Sequence, residues 1–290
     1  MKTGINLLLW TAAATEEHVP LLERIKGWGY DGVEFPMFAP DASPWDRLAA
    51  VSDDLGLSRS VVAVLPQDMS LLAETPQDRA RAVEQLKATL DSCLELGATM
   101  LGGPIYHPVG KLVGRGPTDE ERKRAVEGLQ KVGEYAHALG ISVAVEPLNR
   151  FESYFLSSQA EAATLVDAVK NPAVGVLYDT FHANIEEKDP VGTIGMLGAR
   201  IKHVHVSAND RATPGEDHID WVATFDALKA VGYDGWLMIE AFGAWLPEVA
   251  AATCIWRKMA PSEEHLAKEG LAFMKRTWTG KADRVKEKVK

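Results

Sequence analysis

The sequence predicts a single (β/α)8 barrel, and three observations carry that prediction. First, eight short apolar runs punctuate the chain: "GINLLLW" (4–10), "DGVEFPMF" (31–38), "SRSVVAVLP" (58–66), "TMLGGPIY" (99–106), "ISVAVEPLN" (141–149), "VGVLYDTFH" (174–182), "IKHVHVSA" (201–208) and "WLMIEAFG" (236–243). Helical patterns separate them, and β-rich runs alternating with helices make a parallel sheet. Second, there is a weak internal repeat. "GYDGVE" (29–34) returns as "GYDGWLMIE" (232–240), and a Leu-Gly pair precedes a strand run at Gly56, Gly97, Gly140 and Gly198. Each of these glycines stands where a helix must stop, in a conformation glycine tolerates. Third, the length of 290 residues suits one such barrel, for which roughly 250 is typical. An open doubly wound sheet is the alternative. It usually carries a glycine-rich nucleotide loop, and neither GxGxxG nor GxxxxGK[ST] is present. The barrel is expected to occupy 1–280 as one domain, followed by a charged tail, "KADRVKEKVK" (281–290), that has little to bury.

Composition narrows the function classes. The chain is 46% hydrophobic and 25% charged, as globular proteins are. A formal net charge of −10 disfavours nucleic acid and anionic membrane surfaces as partners. Cys93 and Cys254 form neither a disulfide framework nor a CxxC motif, so both are expected as buried small hydrophobes in a cytoplasmic protein. The opening "MKTGINLLLWTAAATEEH" has some features of a secretion signal, but its apolar core is short and fits a first strand better. No apolar run approaches the length of about 18 residues that a membrane span needs.

Side-chain parity then locates the chemistry. Strand residues alternate between faces. In the fifth run Ser142, Ala144 and Glu146 share a face opposite Val143 and Val145; small residues fit the crowded lumen, so Glu146 points inward. The same alternation turns Asp179 inward in the sixth run, His203 and His205 in the seventh, and Glu240 in the eighth. Four successive strands thus carry an inward ionisable group near the C-terminal end, where barrel active sites are built. Three carboxylates aimed into one lumen repel one another and raise their own pKa values unless a cation joins them. With one imidazole they form a hard, oxygen-rich set suited to one divalent ion, Mn²⁺, Mg²⁺ or Co²⁺, and less to structural zinc. The expected metal ligands are therefore Glu146, Asp179, His205 and Glu240. His203 lies deeper and is read as a hydrogen-bonded core or supporting histidine, and Glu34 as an ion-pair partner. Trp10 and Phe242 either wall a cavity or pack. The loop "YHPVGKLVGRGPTDEE" (106–121), rich in glycine, is a candidate lid.

With those residues in view, the chain resembles the ketose 3-epimerases of the D-tagatose and D-psicose (D-allulose) type, within the xylose-isomerase-like barrels. The resemblance runs from "GINLLLW" to "GLAFMKRTW" and is densest in "VEPLNRFE" (145–152), "LYDTFHANIEE" (177–187), "HVHVSANDR" (203–211) and "MIEAFG" (238–243). It implies the same four metal ligands and substrate contacts from Glu152, His182 and Arg211. It also implies Glu146 and Glu240 as the catalytic acid and base. The implied substrate is a small free ketose, and the implied assembly a homodimer or homotetramer. A hydroxypyruvate-isomerase-like or aldose–ketose isomerase shares barrel, metal and enediolate, and an inosose-dehydratase-like lyase is a further relative. A DNA-repair endonuclease on this barrel needs more histidines for three zincs and a basic face, against eight histidines and a negative charge here. A sugar-binding barrel without turnover is the non-enzymatic reading. The preferred ketose is not written in these motifs.

Overall fold

The computed structural model describes residues 1–280; the expected charged tail at 281–290 lies outside the described residues. Eight parallel strands close on themselves in chain order: β1 (Lys2–Asn6), β2 (Gly32–Pro36), β3 (Ser58–Val62), β4 (Met100–Gly103), β5 (Ser142–Val145), β6 (Val174–Asp179), β7 (Ile201–Val206) and β8 (Trp236–Ile239), with β8 pairing back onto β1. Among the described residues ten α-helices surround them: α1 (Val19–Trp28), α2 (Trp45–Asp54), α3 (Pro76–Leu96), α4 (Asp119–Leu139), α5 (Gln159–Val169), α6 (Thr180–Glu186), α7 (Pro190–Leu197), α8 (Trp221–Ala230), α9 (Pro247–Ala252) and α10 (Glu263–Trp278). The expected barrel is the observed one.

Local chemistry explains where the elements stop. Thr75, Thr118 and Ser158 cap α3, α4 and α5 through their side-chain oxygens, which accept the orphan N–H groups of the first turn. The Leu-Gly pairs do what the sequence suggests: Gly97 and Gly140 end α3 and α4 at φ of 71° and 70°. The valines and isoleucines of the strands' outer faces pack against the helices in the main core. Inside, the large Trp236, Met238 and Leu177 fit because facing strands present glycine. A Cβ at Gly4 would lie 2.4 Å from the Met238 methyl, and one at Gly102 2.9 Å from Leu177. That interdigitation makes the lumen a packed core rather than a pore.

Two expectations are corrected. The first apolar run is strand only to Asn6; Leu7–Leu9 form a 3₁₀ turn, because the Asn6 side chain accepts the Leu8 N–H at 2.8 Å and pulls the chain out of the sheet. Trp10 consequently packs on Trp28, with ring centroids 6.2 Å apart, instead of walling the barrel mouth. Cys93 is buried as expected, but Cys254 is exposed in the turn after α9, at φ 58°.

The barrel's tolerance for glycine replacement is uneven. Gly103 ends β4 at φ 121°, and a Cβ there would meet the Ala63 carbonyl oxygen at 2.3 Å, whereas at Gly140 nothing lies within 4 Å. Gly140→Ala is expected to cost about 1 kcal/mol, the ordinary left-handed penalty. Gly103→Ala is expected to cost about 3 kcal/mol, because two backbones must part as well. Thermal unfolding of the two variants should rank them so; equal midpoints would contradict the close-approach argument.

Candidate active site

The carboxyl ends of β5 to β8 bring the four expected ligands together. Glu146 and Glu240 each stand one residue past a strand, still in the ladder: the Glu146 N–H donates to Gly103 O at 3.1 Å and the Glu240 N–H to Val206 O at 3.3 Å. Asp179 ends β6 directly opposite His205 in the β6–β7 register. All four are buried, and one ligand atom from each lies within 4.8 Å of the others.

His205 joins two layers of this site. Its Nε2 is 2.8 Å from Glu34 Oε2, and its Nδ1 lies 3.4 Å from Glu240 Oε1, 3.6 Å from Asp179 Oδ2 and 3.8 Å from Glu146 Oε1. Glu34 is fully buried and accepts four contacts: Ser60 Oγ and His203 Nε2 on Oε1, Asn6 Nδ2 and His205 Nε2 on Oε2. Burial pushes the Glu34 carboxyl up, but the two imidazoles outweigh it and hold the group well below the usual carboxylate range. An ionised Glu34 fixes the proton of His205 on Nε2 and turns Nδ1 toward the three carboxylates. That buried Nδ1 has no hydrogen-bond partner among the described residues.

The electrostatics of this cluster call for a cation. Burial raises the Glu146 carboxyl well above its usual range, and Glu240 beside it raises it further. Burial opposes charge on His205, yet Glu240 and Glu34 reverse that and raise its pKa. Excess negative charge thus draws protons onto both groups. Three carboxylate oxygens and one unpartnered imidazole nitrogen are a donor set that fits a divalent ion, which would take the place of those protons. Burial also raises Glu240, but His205 and Arg211 prevail and hold it at about 2.

The three expected substrate contacts surround the same cluster. A cavity of about 360 Å³ is lined by Glu146 and Glu240, by Glu152, His182 and Arg211, and by an apolar wall that includes Leu8, Phe38, Val62, Leu65, Phe242 and Val249. Phe242 is therefore the wall residue of the pair considered in the sequence. Arg211 Nη1 bonds Glu240 Oε2 at 2.5 Å and Asp179 Oδ2 at 3.5 Å. The His182 Nδ1 accepts the Asn149 N–H at 2.9 Å, and burial followed by Arg211 lowers its pKa to about 3. A neutral ring accepting on Nδ1 carries its proton on Nε2. His182 Nε2 and Arg211 Nη2, 3.1 Å apart, are then both donors, a pair suited to one developing oxyanion. Glu152 sits in a turn, its Oε1 bonded to Asn149 Nδ2 at 2.9 Å. Glu34 pairs with both His203 and His205, and His203 is hydrogen-bonded in the core below the donor cluster.

Asn6, Ser60 and Asn149 were not singled out in the sequence. A polar side chain ending an apolar run was the available signal for Asn6, the same one that marked Glu146.

The comparisons with known proteins bear on the same geometry. Residues 22–277 match the family model described as "Xylose isomerase-like TIM barrel". The chain is 34% identical to the "Probable ketose 3-epimerase" of Synechocystis sp., over 96% of this chain and 97% of that one. The chain belongs to the ketose 3-epimerases of the xylose isomerase-like barrels. It is 31% identical to the L-ribulose 3-epimerase of Mesorhizobium japonicum, over 94% of this chain and 93% of that one. A crystal structure of D-allulose 3-epimerase from Methylomonas sp., in complex with D-allulose, superposes with a TM-score of 0.90 at 25% identity, covering 96% of this chain and 97% of that one. This ketose 3-epimerase is thus an isomerase of the carbohydrate epimerase class. No helix among the described residues is long and apolar enough to cross a membrane.

Two outcomes follow for metal loading. Glu34→Gln keeps the shape but loses one acceptor oxygen, and Mn²⁺ affinity should fall about 10–100-fold by calorimetry; unchanged affinity would remove Glu34 from the ligand-orienting role. Because Glu146 and His205 hold protons above their usual ranges and the ion takes the deprotonated forms, loading should release protons and tighten as pH rises. Titrations in buffers of different ionisation heat measure that release, and identical heats would argue against it.

Proposed function

We propose that this epimerase inverts C3 of small free ketoses, of the D-tagatose, D-psicose, D-fructose or L-ribulose type, through an enediolate. The observation that carries the reading is the pairing of Glu146 and Glu240, two buried carboxylates that belong to one donor cluster and line one cavity with Glu152, His182 and Arg211. Glu146, Asp179, His205 and Glu240 would hold one divalent ion, assigned as Mn²⁺. When bound, the ion supplies Lewis acidity that polarises the C2 carbonyl and steadies the charge that builds as the α-proton leaves.

The side chains divide the remaining work. Of Glu146 and Glu240, the carboxylate that is ionised takes the C3 proton and the one that then carries a proton returns one to the opposite face, the two exchanging roles in the reverse reaction. His182 Nε2–H and the Arg211 guanidinium donate to the oxygen on which charge accumulates. Glu152, on the cavity wall with Oε1 held by Asn149, accepts a substrate hydroxyl. The apolar wall keeps bulk water from the exposed intermediate. Among the described residues that line the cavity Arg211 is the one lysine or arginine and there is no glycine, a lining that supports free over phosphorylated sugars. The loop at 106–121 is proposed as a lid: Val109 lines the cavity, and the Gly110 N–H bonds the Glu152 carbonyl at 2.8 Å.

The decisive experiment incubates metal-stripped protein, with and without Mn²⁺, with ketohexoses and ketopentoses in D₂O under NMR. Metal-dependent deuterium entry at C3 together with the C3 epimer is the expected result. Exchange at C1 with aldose formation would shift the assignment to an aldose–ketose or hydroxypyruvate-type isomerase, and silence across the panel would sink it. In the active case, Glu146→Gln and Glu240→Gln should each cost about 10²–10⁴-fold in kcat.

A further inference from the structure

We propose that Phe181, which does not line the cavity, is a positioning residue that sets the plane of the Arg211 guanidinium. The proposal rests on the function proposed above. Arg211 is one of few non-glycine residues with positive φ, at 64°. Its backbone is pinned on both sides: its N–H donates to Ala208 O at 2.9 Å, and its carbonyl accepts the Phe242 N–H at 2.9 Å. A residue held in a sparsely populated conformation by several contacts is characteristic of functional sites.

The guanidinium's hydrogen bonds are at its tip, from Nη1 to Glu240 and Asp179, with Nη2 beside His182 Nε2. They fix where the nitrogens sit but leave the group free to swivel about that end. Two rings remove this freedom. The guanidinium carbon lies 3.9 Å from the centroid of Phe181 and 4.9 Å from that of Phe242. Orientation matters because all guanidinium N–H donors lie in one plane, so a swivelled plane aims them away from the substrate oxygen. Phe242 is part of the cavity wall, whereas Phe181 lies behind it, facing the guanidinium at 3.9 Å and meeting the His182 ring edge-on at 5.2 Å, so the Arg211→Gln background separates the two contacts. Its ring is placed by the first turn of α6, where the Phe181 N–H donates to Asp179 Oδ1 at 2.6 Å. That bond uses the backbone, so replacing the side chain leaves it in place.

The test is a double-mutant cycle on the metal-loaded enzyme, using Phe181→Leu, Arg211→Gln and the pair, with Phe181→Trp as rescue. Phe181→Leu should lower kcat about 10-fold with little change in KM, since the guanidinium acts on charge that develops only as the proton leaves. The tryptophan variant should recover most of that loss, and Phe181→Leu should cost nothing further in the Arg211→Gln background. An independent readout is the Arg211 Nε–Hε resonance of the Mg²⁺-loaded protein, displaced upfield by the ring and moving downfield in Phe181→Leu. Phe181→Met serves the same comparison if the leucine variant does not fold. Wild-type kinetics, losses additive with Arg211→Gln, or an unmoved resonance would each overturn the proposal. A wild-type enzyme inert toward every ketose would instead overturn the proposed function, and the resonance would still decide the stack.

Discussion

Four carboxylates buried around one barrel mouth must each be kept from forcing the site apart, and the surrounding structure is arranged by that need. Removing a carboxylate from water costs several kcal/mol unless charge or hydrogen bonds compensate it. Glu34 is compensated by four donors from three other strands. Asp179 is held by the first turn of α6, whose N–H groups of Phe181 and His182 bond Oδ1, leaving Oδ2 toward His205 and Arg211. Glu240 has Arg211. Glu146 has only the more distant His182 Nε2 and His205 Nδ1, at 3.7 and 3.8 Å, and burial together with Glu240 raises its pKa. The uncompensated charge thus falls at the place where a cation and a transferable proton are both wanted.

His205 is the element through which the two halves of this arrangement communicate. Both oxygens of Glu34 are occupied, so Glu34 cannot join the donor cluster itself; it acts by holding the ring. His203 stacks edge-on against His205 at 5.1 Å and shares the same carboxylate, which limits the tilt of both imidazoles. The barrel makes this rigid because β2 and β7 lie across the lumen from one another, and neither can move without breaking the closed ladder. A ligand fixed in this way needs little reorganisation when charge changes nearby, the condition under which oriented dipoles are most effective.

Much of this was legible in the sequence, for a definite reason. Strand periodicity is two, so a single inward alanine or glycine fixes the face of every other residue in its run; Ala144 does this for Glu146 and Gly175 for Asp179. The same logic placed His205 and Glu240. What escaped were interactions set by pairing between distant segments. Asn6 reaches Glu34, Asn149 reaches His182, and Phe181 reaches Arg211, and no spacing within one strand announces any of these. The end of the first strand is not legible because "GINLLLW" keeps its apolar pattern through a turn that one side-chain cap imposes. The exposure of Cys254 is not legible either, because composition alone does not say which small residue falls in an exposed turn.

The apolar wall gives the charges their force. Leu8, Val62, Phe242, Val249, Ala250 and Ile255 form a small cluster separate from the main core, and α9 contributes two of its members. This cluster covers one side of the cavity while the carboxylates and Arg211 form another. Interactions between charges strengthen as the local dielectric falls, so the wall that raises the cost of burying Glu146 also magnifies what Arg211 and His182 contribute to a developing oxyanion. Substituting polar residues along that wall would ease the burial of the carboxylates and weaken their leverage together. The stability of the empty barrel and the strength of its chemistry therefore pull in opposite directions at these positions. The cluster is consequently expected to stay apolar although polar neighbours would relieve Glu146.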